Sequence, residues 1–192
     1  MNVQKPLAVF PLPIFLLPGG RTKLRIFEPR YIRMVKESAG SDGFILSYLQ
    51  KDKEFLCNDW GAWVEIVDFE TLSDGMLGIT IEANQLVKLS NFYYEEDNLL
   101  NANVEVFEHW TAEDLPSTSL SLRNIQQAYV ELLHQQTQLS EFYPEPQVEN
   151  STWLVARWLE VLPLNTEVRK KLTHIDSFKL ALKTVETVIL GK

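Results

Sequence analysis

Three histidines, one cysteine and a set of serines are the residues of this 192-residue sequence that most often take part in catalysis or bind metals. His109, His134 and His174 lie far apart along the chain, and none belongs to an E-x-x-H or C-x-x-C motif typical of a metal site. Cys57 falls in a predicted turn without an identifiable base, and no serine stands in a G-x-S-x-G elbow. The sequence therefore predicts no catalytic residue, no metal ion and no cofactor.

Basic residues are concentrated in residues 21–36, a segment that carries six cations and a single acid, Glu28. The segment has a net charge of +5, and the other residues sum to −13, since the whole chain is at −8. Arginine can bind a carboxylate through two hydrogen bonds, so the segment is a candidate contact for acidic partners or peptide carboxylates. The alternative is a solvated surface on which Arg30 pairs with Glu28. The six cations are Arg21, Lys23, Arg25, Arg30, Arg33 and Lys36.

Aromatic side chains are the second candidate for a binding surface, because aromatic anchors dominate protein recognition. Trp63 alternates with Ala62 and Val64 in a predicted strand, so its ring can face outward. Trp153 and Trp158 lie near the apolar stripe of a predicted helix, where packing in the core is favoured. The candidate binding residues are Arg21, Lys23, Arg25, Arg33 and Trp63.

The first hundred residues show the period-2 alternation and the turn spacing of short β-strands. In residues 21–26 apolar and basic side chains alternate, which places the cations on the face expected to be solvent-exposed. Pro29 is placed to open a short helix and Gly40 to end it. Residues 92–94 fit either an exposed loop or a buried strand end. Further predicted strands are Phe44–Gln50, Gly61–Glu70, Met76–Glu82, Gln85–Leu89 and Asn103–Glu108.

After about residue 117 the apolar spacing changes to that of helices, with residues 138–150 as a connector. This change predicts a β-rich lobe over residues 1–117 and a helical lobe over residues 118–192. The predicted caps and stops of the helices are Ser119 or Ser121, Ser151 or Thr152, Pro163, Asn165, Asp176 and Gly191.

The composition indicates an ordinary globular protein, with 45% hydrophobic and 23% charged residues. One cysteine cannot form an internal disulfide, which is typical of a reducing compartment. The apolar run Leu7–Leu17 is interrupted by Pro11 and Pro13, which disfavours a signal peptide, and no run is long enough for a membrane helix. We therefore expect a cytoplasmic location.

The N-terminal motifs follow an order that resembles the opening of the Lon protease N-terminal domain family. Residues 10–13 read F-P-L-P, residues 17–20 read L-P-G-G, and residues 24–31 read L-R-I-F-E-P-R-Y. In that family an F-P-L segment, a P-G turn and an L-R-I-F-E-x-R-Y segment follow one another closely. Weaker similarity, at residues 61–66, at the Asp74-Gly75 hairpin and from Trp153 to Leu190, extends over nearly the whole chain. Residues 82–87 lack the glycine and the arginine of the G-x-x-R-F strand usual in the family.

This resemblance implies an α+β fold in which an N-terminal PUA-like β pseudo-barrel lobe is followed by a C-terminal helical bundle. It also implies contact with protein substrates. No G-x-x-x-x-G-K-[ST] motif is present to bind nucleotide phosphates, and no Ser-Lys peptidase domain is recognisable. The expected role is a non-catalytic protein- or peptide-binding module, acting as an adaptor for a separate protease or chaperone. Its partner would be an unfolded or a specific client protein.

Two alternatives stay open at this point. PUA-like barrels also occur in RNA-modifying proteins, so RNA binding is one alternative, supported only by the basic segment. The other is an unrecognised small-molecule enzyme that uses a cleft between the two lobes. Because most of the chain is acidic, neither nucleic acid nor an anionic membrane is an expected partner.

We predict no measurable binding to generic RNA or duplex DNA, because a protein that binds phosphates needs cations to replace their counterions. A fluorescence-anisotropy titration at about 150 mM salt, close to physiological ionic strength, tests this expectation. Saturable submicromolar affinity would contradict the charge argument and favour the RNA alternative.

Overall fold

A computed structural model describes residues 6–110 and 120–191 of the chain. The chain divides into two compact units, Met1–Phe107 and Glu108–Lys192. Strands fill most of the first unit and helices the second, which confirms the predicted α+β class. The predicted boundary between residues 117 and 118 lies outside the described residues, as does Ser119, one of the predicted caps.

The described part of the first unit contains a six-stranded sheet that closes on itself. Its strands are β1 Leu7–Leu12, β2 Arg21–Ile26, β3 Phe44–Tyr48, β4 Trp60–Thr71, β5 Leu77–Tyr94 and β6 Leu100–Phe107. They follow the order β2-β5-β4-β3-β1-β6, and β5 also pairs with β6. β5, β4, β3, β1 and β6 therefore form a ring, with β2 paired to β5. All pairs are antiparallel except β1 with β3, which is parallel.

β5 is one strand of 18 residues, whereas the sequence predicted two strands, Met76–Glu82 and Gln85–Leu89. The predicted break between these two strands was wrong, because the chain forms a β-bulge at this point and the strand continues through it. The pairing of β4 with β5 shifts register between Trp63 and Val64, which leaves Asn84 as the extra residue on β5. A bulge bends a strand without ending it. This bulge lies in the stretch that departs from the usual family pattern.

The first helix, α1, spans Pro29–Ser38 and begins with proline as predicted. Proline costs nothing there, because the first N–H groups of a helix have no intrahelical acceptor. Met34 and Val35 are buried, and Tyr31 stacks on Phe10 of β1 with 4.0 Å between ring centroids. These contacts hold α1 against the sheet.

The second unit consists of helices in its described part. They are α2 Leu120–Gln135, α3 Thr137–Phe142, α4 Ser151–Val161, α5 Thr166–Leu172 and α6 Phe178–Leu190, with a 3-10 turn at Ile175–Ser177. Among the described helices, none combines the length and the apolar character that a membrane crossing requires.

Several predicted boundaries in this unit need correction. α3 occupies part of the predicted connector at residues 138–150. Asn150 caps α4 through its side chain, in place of Ser151 or Thr152. Asp176 lies in the 3-10 turn that precedes α6 and does not cap that helix. Ser121 lies inside α2 and donates to Glu186.

Other helix signals were read correctly from the sequence. Asn165 caps α5, because its side chain accepts a hydrogen bond from the backbone N–H of Val168. Gly191 ends α6 in the left-handed conformation, with φ of 67°. Both are local signals, which depend on residues within one turn of the helix end.

Arg157 is the charged residue at the centre of the second unit. Its side chain is fully buried and makes two hydrogen bonds to Glu160, at 2.7 and 2.8 Å. The rings of Tyr143 and Trp153 lie 5.8 and 5.6 Å from the guanidinium carbon. Burial opposes the charged form, but the Glu160 carboxylate together with Tyr143 and Tyr129 outweighs it, so the pKa of Arg157 is raised. Removing Glu160 would therefore leave a buried charge without its counterion.

The loop after α1 gives a test of the closeness of backbone packing in the first unit. Gly40 and Gly43 both have positive φ, at 71° and 70°, but a Cβ at Gly43 would lie 2.0 Å from the carbonyl oxygen of Val64. A Cβ at Gly40 would meet no atom within 4 Å. Gly40→Ala should therefore cost about 1–2 kcal/mol of unfolding free energy, from left-handed backbone strain alone.

Gly43→Ala should cost more than about 3 kcal/mol, because the clash adds to the same strain. Denaturant unfolding of both variants measures the difference. Equal losses in the two variants would contradict the close approach of this loop to β4.

Candidate binding groove

Most cations of residues 21–36 form ion pairs, several of them with acids from distant parts of the first unit. On β2, Arg21 pairs with Glu82 of β5 at 2.6 Å, and Lys23 pairs with Glu70 of β4 at 3.4 Å. Arg25 at the end of β2 pairs with Asp74 in the β4–β5 turn. On and before α1, Arg30 pairs with Glu28 at 2.6 Å, as the alternative interpretation of this segment expects.

Strand register explains these pairs. Arg21 lies directly opposite Glu82 in the pairing of β2 with β5, so their side chains lie on the same face of the sheet. Arg25 lies opposite Gly78 on that face. The absence of a side chain at Gly78 lets Glu70 cross β5 towards Lys23, because a Cβ there would lie 2.6 Å from Cγ of Glu70. The basic face of β2 is therefore largely neutralised within the sheet.

Arg33 on α1 is the centre of a denser acidic cluster. Its guanidinium makes two hydrogen bonds to Asp97, at 2.8 and 2.9 Å, and others to Glu37 at 3.0 Å and Glu95 at 2.5 Å. Hydrogen bonds from Arg33 lower the pKa of the Asp97 carboxyl, and the acids in turn raise the pKa of Arg33. One cation thus makes hydrogen bonds to three carboxylates, and it lowers the pKa of one of them, Asp97.

A groove of about 410 Å³ lies beside this cluster. It is bounded by the start of β1, by α1, by the loop at residues 41–43, by the end of β5 and by the start of β6. Pro6, Ala8 and Tyr93, which is 43% exposed, supply accessible apolar surface, whereas Leu7, Met34 and Leu99 in its lining are buried. Its volume lies in the range typical of ligand sites.

A second, more open cleft of about 570 Å³ adjoins the groove, since Arg33 and Glu95 line both. Tyr94, which is 47% exposed, and Glu96 complete its lining together with Asp97. Together the groove and this cleft carry five carboxylates and one guanidinium, a formal charge of −4. The carboxylates are Glu37, Asp42, Glu95, Glu96 and Asp97.

Of the five binding residues proposed from the sequence, one lines the groove, Arg33. Arg21, Lys23 and Arg25 lie on β2 in the pairs described above. Spacing along the sequence does not reveal the groove, because its acids come from α1, from the loop after α1 and from the turn after β5. The exposed pair Tyr93 and Tyr94, left undecided from the sequence, was the usable signal.

Trp63, the fifth proposed residue, is only partly exposed. Its ring packs against the buried cluster that includes Leu7 and Ile45, and its indole N–H donates to the backbone carbonyl of Asp42. The Trp63 ring therefore supports the loop at residues 41–43, which bounds the groove. Phe92 is likewise partly buried and stacks on Phe55, with ring centroids 5.1 Å apart.

Residues with possible catalytic chemistry lie elsewhere. Cys57 is buried, and burial raises the pKa of its thiol to about 11, so the thiolate is disfavoured at neutral pH. His109 is held by stacking on Trp110 and by a 3.1 Å contact between Nδ1 and the carbonyl of Thr173. Burial lowers the pKa of His109. Within residues 6–110 and 120–191, no group of three or more metal-ligating residues is assembled.

Comparison with known families gives one match over most of the chain. The family described as "ATP-dependent protease La (LON) substrate-binding domain" matches residues 6–189. No curated protein matches the sequence.

Solved structures share the fold at low sequence identity. The Lon N-terminal domain protein from Xanthomonas campestris is 23% identical with a TM-score of 0.71, over 95% of this chain and 97% of that one. The N-terminal domain of Mycobacterium avium complex Lon protease is 11% identical with a TM-score of 0.65, over 94% and 96%.

The Arg33 cluster leads to a prediction on pH. Asp97 has a lower pKa in the folded state than its ordinary value of 3.8, so its ion pair stabilises the fold above that pH. This stabilisation is lost as the pH falls through the folded pKa. Arg33→Gln should therefore raise the pKa of Asp97 and flatten the acid limb of the stability curve.

Carbon-13 NMR titration of the Asp97 carboxyl measures its pKa. Denaturant unfolding below about pH 5, which is about one unit above the usual pKa of a carboxyl group, measures the acid limb of the stability curve. Arg25→Gln is the control, because Arg25 pairs with Asp74 instead. An unchanged Asp97 pKa in Arg33→Gln would contradict the assignment.

Proposed function

This chain belongs to the Lon substrate-binding domain family, and on that premise we propose that it is a non-catalytic module that binds unfolded or specific client proteins. It would present these clients, as an adaptor, to a protease or chaperone encoded separately. The family match over residues 6–189 is the observation that carries the proposal.

The groove beside α1 supports this proposal as the client contact. It combines the apolar residues Pro6 and Ala8 with the exposed ring of Tyr93 at the end of β5, and the exposed ring of Tyr94 lines the adjoining cleft. Tyrosine offers a large contact area at a small cost in conformational entropy, which is the property of residues that anchor peptides. The cations of β2 are paired with acids, so we expect the client to contact this groove rather than β2.

The non-catalytic assignment has support from the buried thiol of Cys57, whose raised pKa keeps it protonated. The expectation that nucleic acid is not a partner also gains support. Three of the cations that favoured RNA, Arg21, Lys23 and Arg25, are matched by acids on neighbouring strands and the adjoining turn. A cytoplasmic location stays a prediction from the sequence.

Calorimetric titration of a reduced, unfolded test protein at low and high salt tests the proposal, with its folded form as control. Binding should persist at high salt, because burial of apolar surface is not screened as exposed charge pairs are. Tyr93→Ala should weaken the complex by more than about 1 kcal/mol if its ring is an anchor.

Phe69→Ala is the matched control, because Phe69 is half exposed on β4 away from the groove. Trp63→Ala is unsuitable, since its ring packs against the core and braces the loop at Asp42. No heat of binding and no competition by unfolded chains at either salt would refute the generic client role. A dedicated adaptor with one specific partner would then remain.

A further inference from the structure

The wall of the groove contains two largely buried polar side chains whose oxygens can accept hydrogen bonds. Ser38 on α1 is 8% exposed and Asn101 on β6 is 6% exposed, and both line the groove. The amide nitrogen of Asn101 donates to Glu95 at 3.1 Å and to the carbonyl of Leu99 at 3.4 Å. The Asn101 side-chain oxygen and the Ser38 hydroxyl can each accept a hydrogen bond from a group in the groove.

The charge of the surrounding wall determines which donor is favoured. Arg33 neutralises only part of the charge of Glu37, Glu95 and Asp97, and Asp42 and Glu96 add to the excess of acid. An anionic group would therefore be repelled from the groove, and a cationic group attracted. This preference is opposite to the one that the basic segment indicated from the sequence alone.

We propose that the groove binds a basic side chain, lysine or arginine, of an extended client segment. The inference rests on the proposed client-binding function and specifies the chemistry that the site selects. The charged head would donate hydrogen bonds to Ser38, Asn101 and the surrounding carboxylates.

The apolar part of the groove fits the rest of such a side chain. Lysine and arginine have long hydrocarbon stems, which can pack on Pro6, Ala8 and the ring of Tyr93 while the head stays near the carboxylates. A cation near the face of an exposed aromatic ring gains a further attraction. Neutral polar side chains would satisfy the acceptors but forgo the attraction of the acidic wall.

Short extended peptides that differ only at one central residue provide the test. Lysine, arginine, glutamine and glutamate peptides are titrated into the full chain by fluorescence anisotropy. The lysine or the arginine peptide should bind about tenfold more tightly than the glutamine peptide, and the glutamate peptide more weakly still. The advantage of the basic peptide should shrink as salt rises, because part of it is screened.

Variants locate the effect. Asp42→Asn and Ser38→Ala should each reduce the preference for the basic peptide by about two- to fivefold. Glu65→Gln is the charge-matched control, because Glu65 is exposed on β4 outside the groove, and it should leave the preference unchanged. Circular dichroism of each variant confirms that its fold is retained.

Equal affinity for the basic and glutamine peptides would overturn the inference, as would equal effects of Asp42→Asn and Glu65→Gln. These outcomes are separable from failure of the proposed function. If unfolded protein binds the chain but the peptides show no charge preference, only the inference fails. If unfolded protein does not bind at all, the generic client role fails as well.

Discussion

The register of β5 is the constraint on which both the closed sheet and its surface chemistry depend. β5 pairs with β2, β4 and β6, so it fixes the alignment of all three. A slip by one residue would turn its apolar side chains from the core to the solvent. A second irregularity, between Ser90 and Tyr93, includes Asn91 at φ 51° and redirects the strand end. Tyr93 reaches the groove, and Tyr94 the adjoining cleft, because β5 continues through this bulge.

The same register converts a basic segment of sequence into a nearly neutral surface. Each exposed ion pair contributes little to stability, because water screens it and long side chains lose freedom. Their effect on recognition is larger, because the neighbouring acid cancels much of the electric field that the cation would otherwise present to a binding partner. At Arg33 the acids outnumber the cation, and the local sign of charge is reversed. The electrostatic character of this unit is therefore set by tertiary pairing rather than by the run of cations in residues 21–36.

Local signals account for what could be predicted from the sequence. Pro29 at the start of α1, Asn165 before α5 and Gly191 after α6 act through neighbouring backbone groups, and the structure agrees with each. The bulge at Asn84 and the pairs of β2 depend instead on which strands become neighbours, and period-2 alternation identifies a face but not its partner. The groove shares this limit, because its acids come from α1 and from separate turns that are neighbours only in the folded unit.

Arg33 has two opposing effects on a basic client. Its charge reduces the attraction of the groove, but its hydrogen bonds fix Glu37, Glu95 and Asp97 before any client arrives. An exposed charge pair contributes about 0–1 kcal/mol, whereas ordering one glutamate side chain costs up to about 1.5–2 kcal/mol. Because two glutamates are already ordered by Arg33, preorganisation is the larger of the two effects. Arg33 is therefore a positioning residue of the proposed site, and the cation that the sequence offered as a contact acts by holding the acids that make the contact.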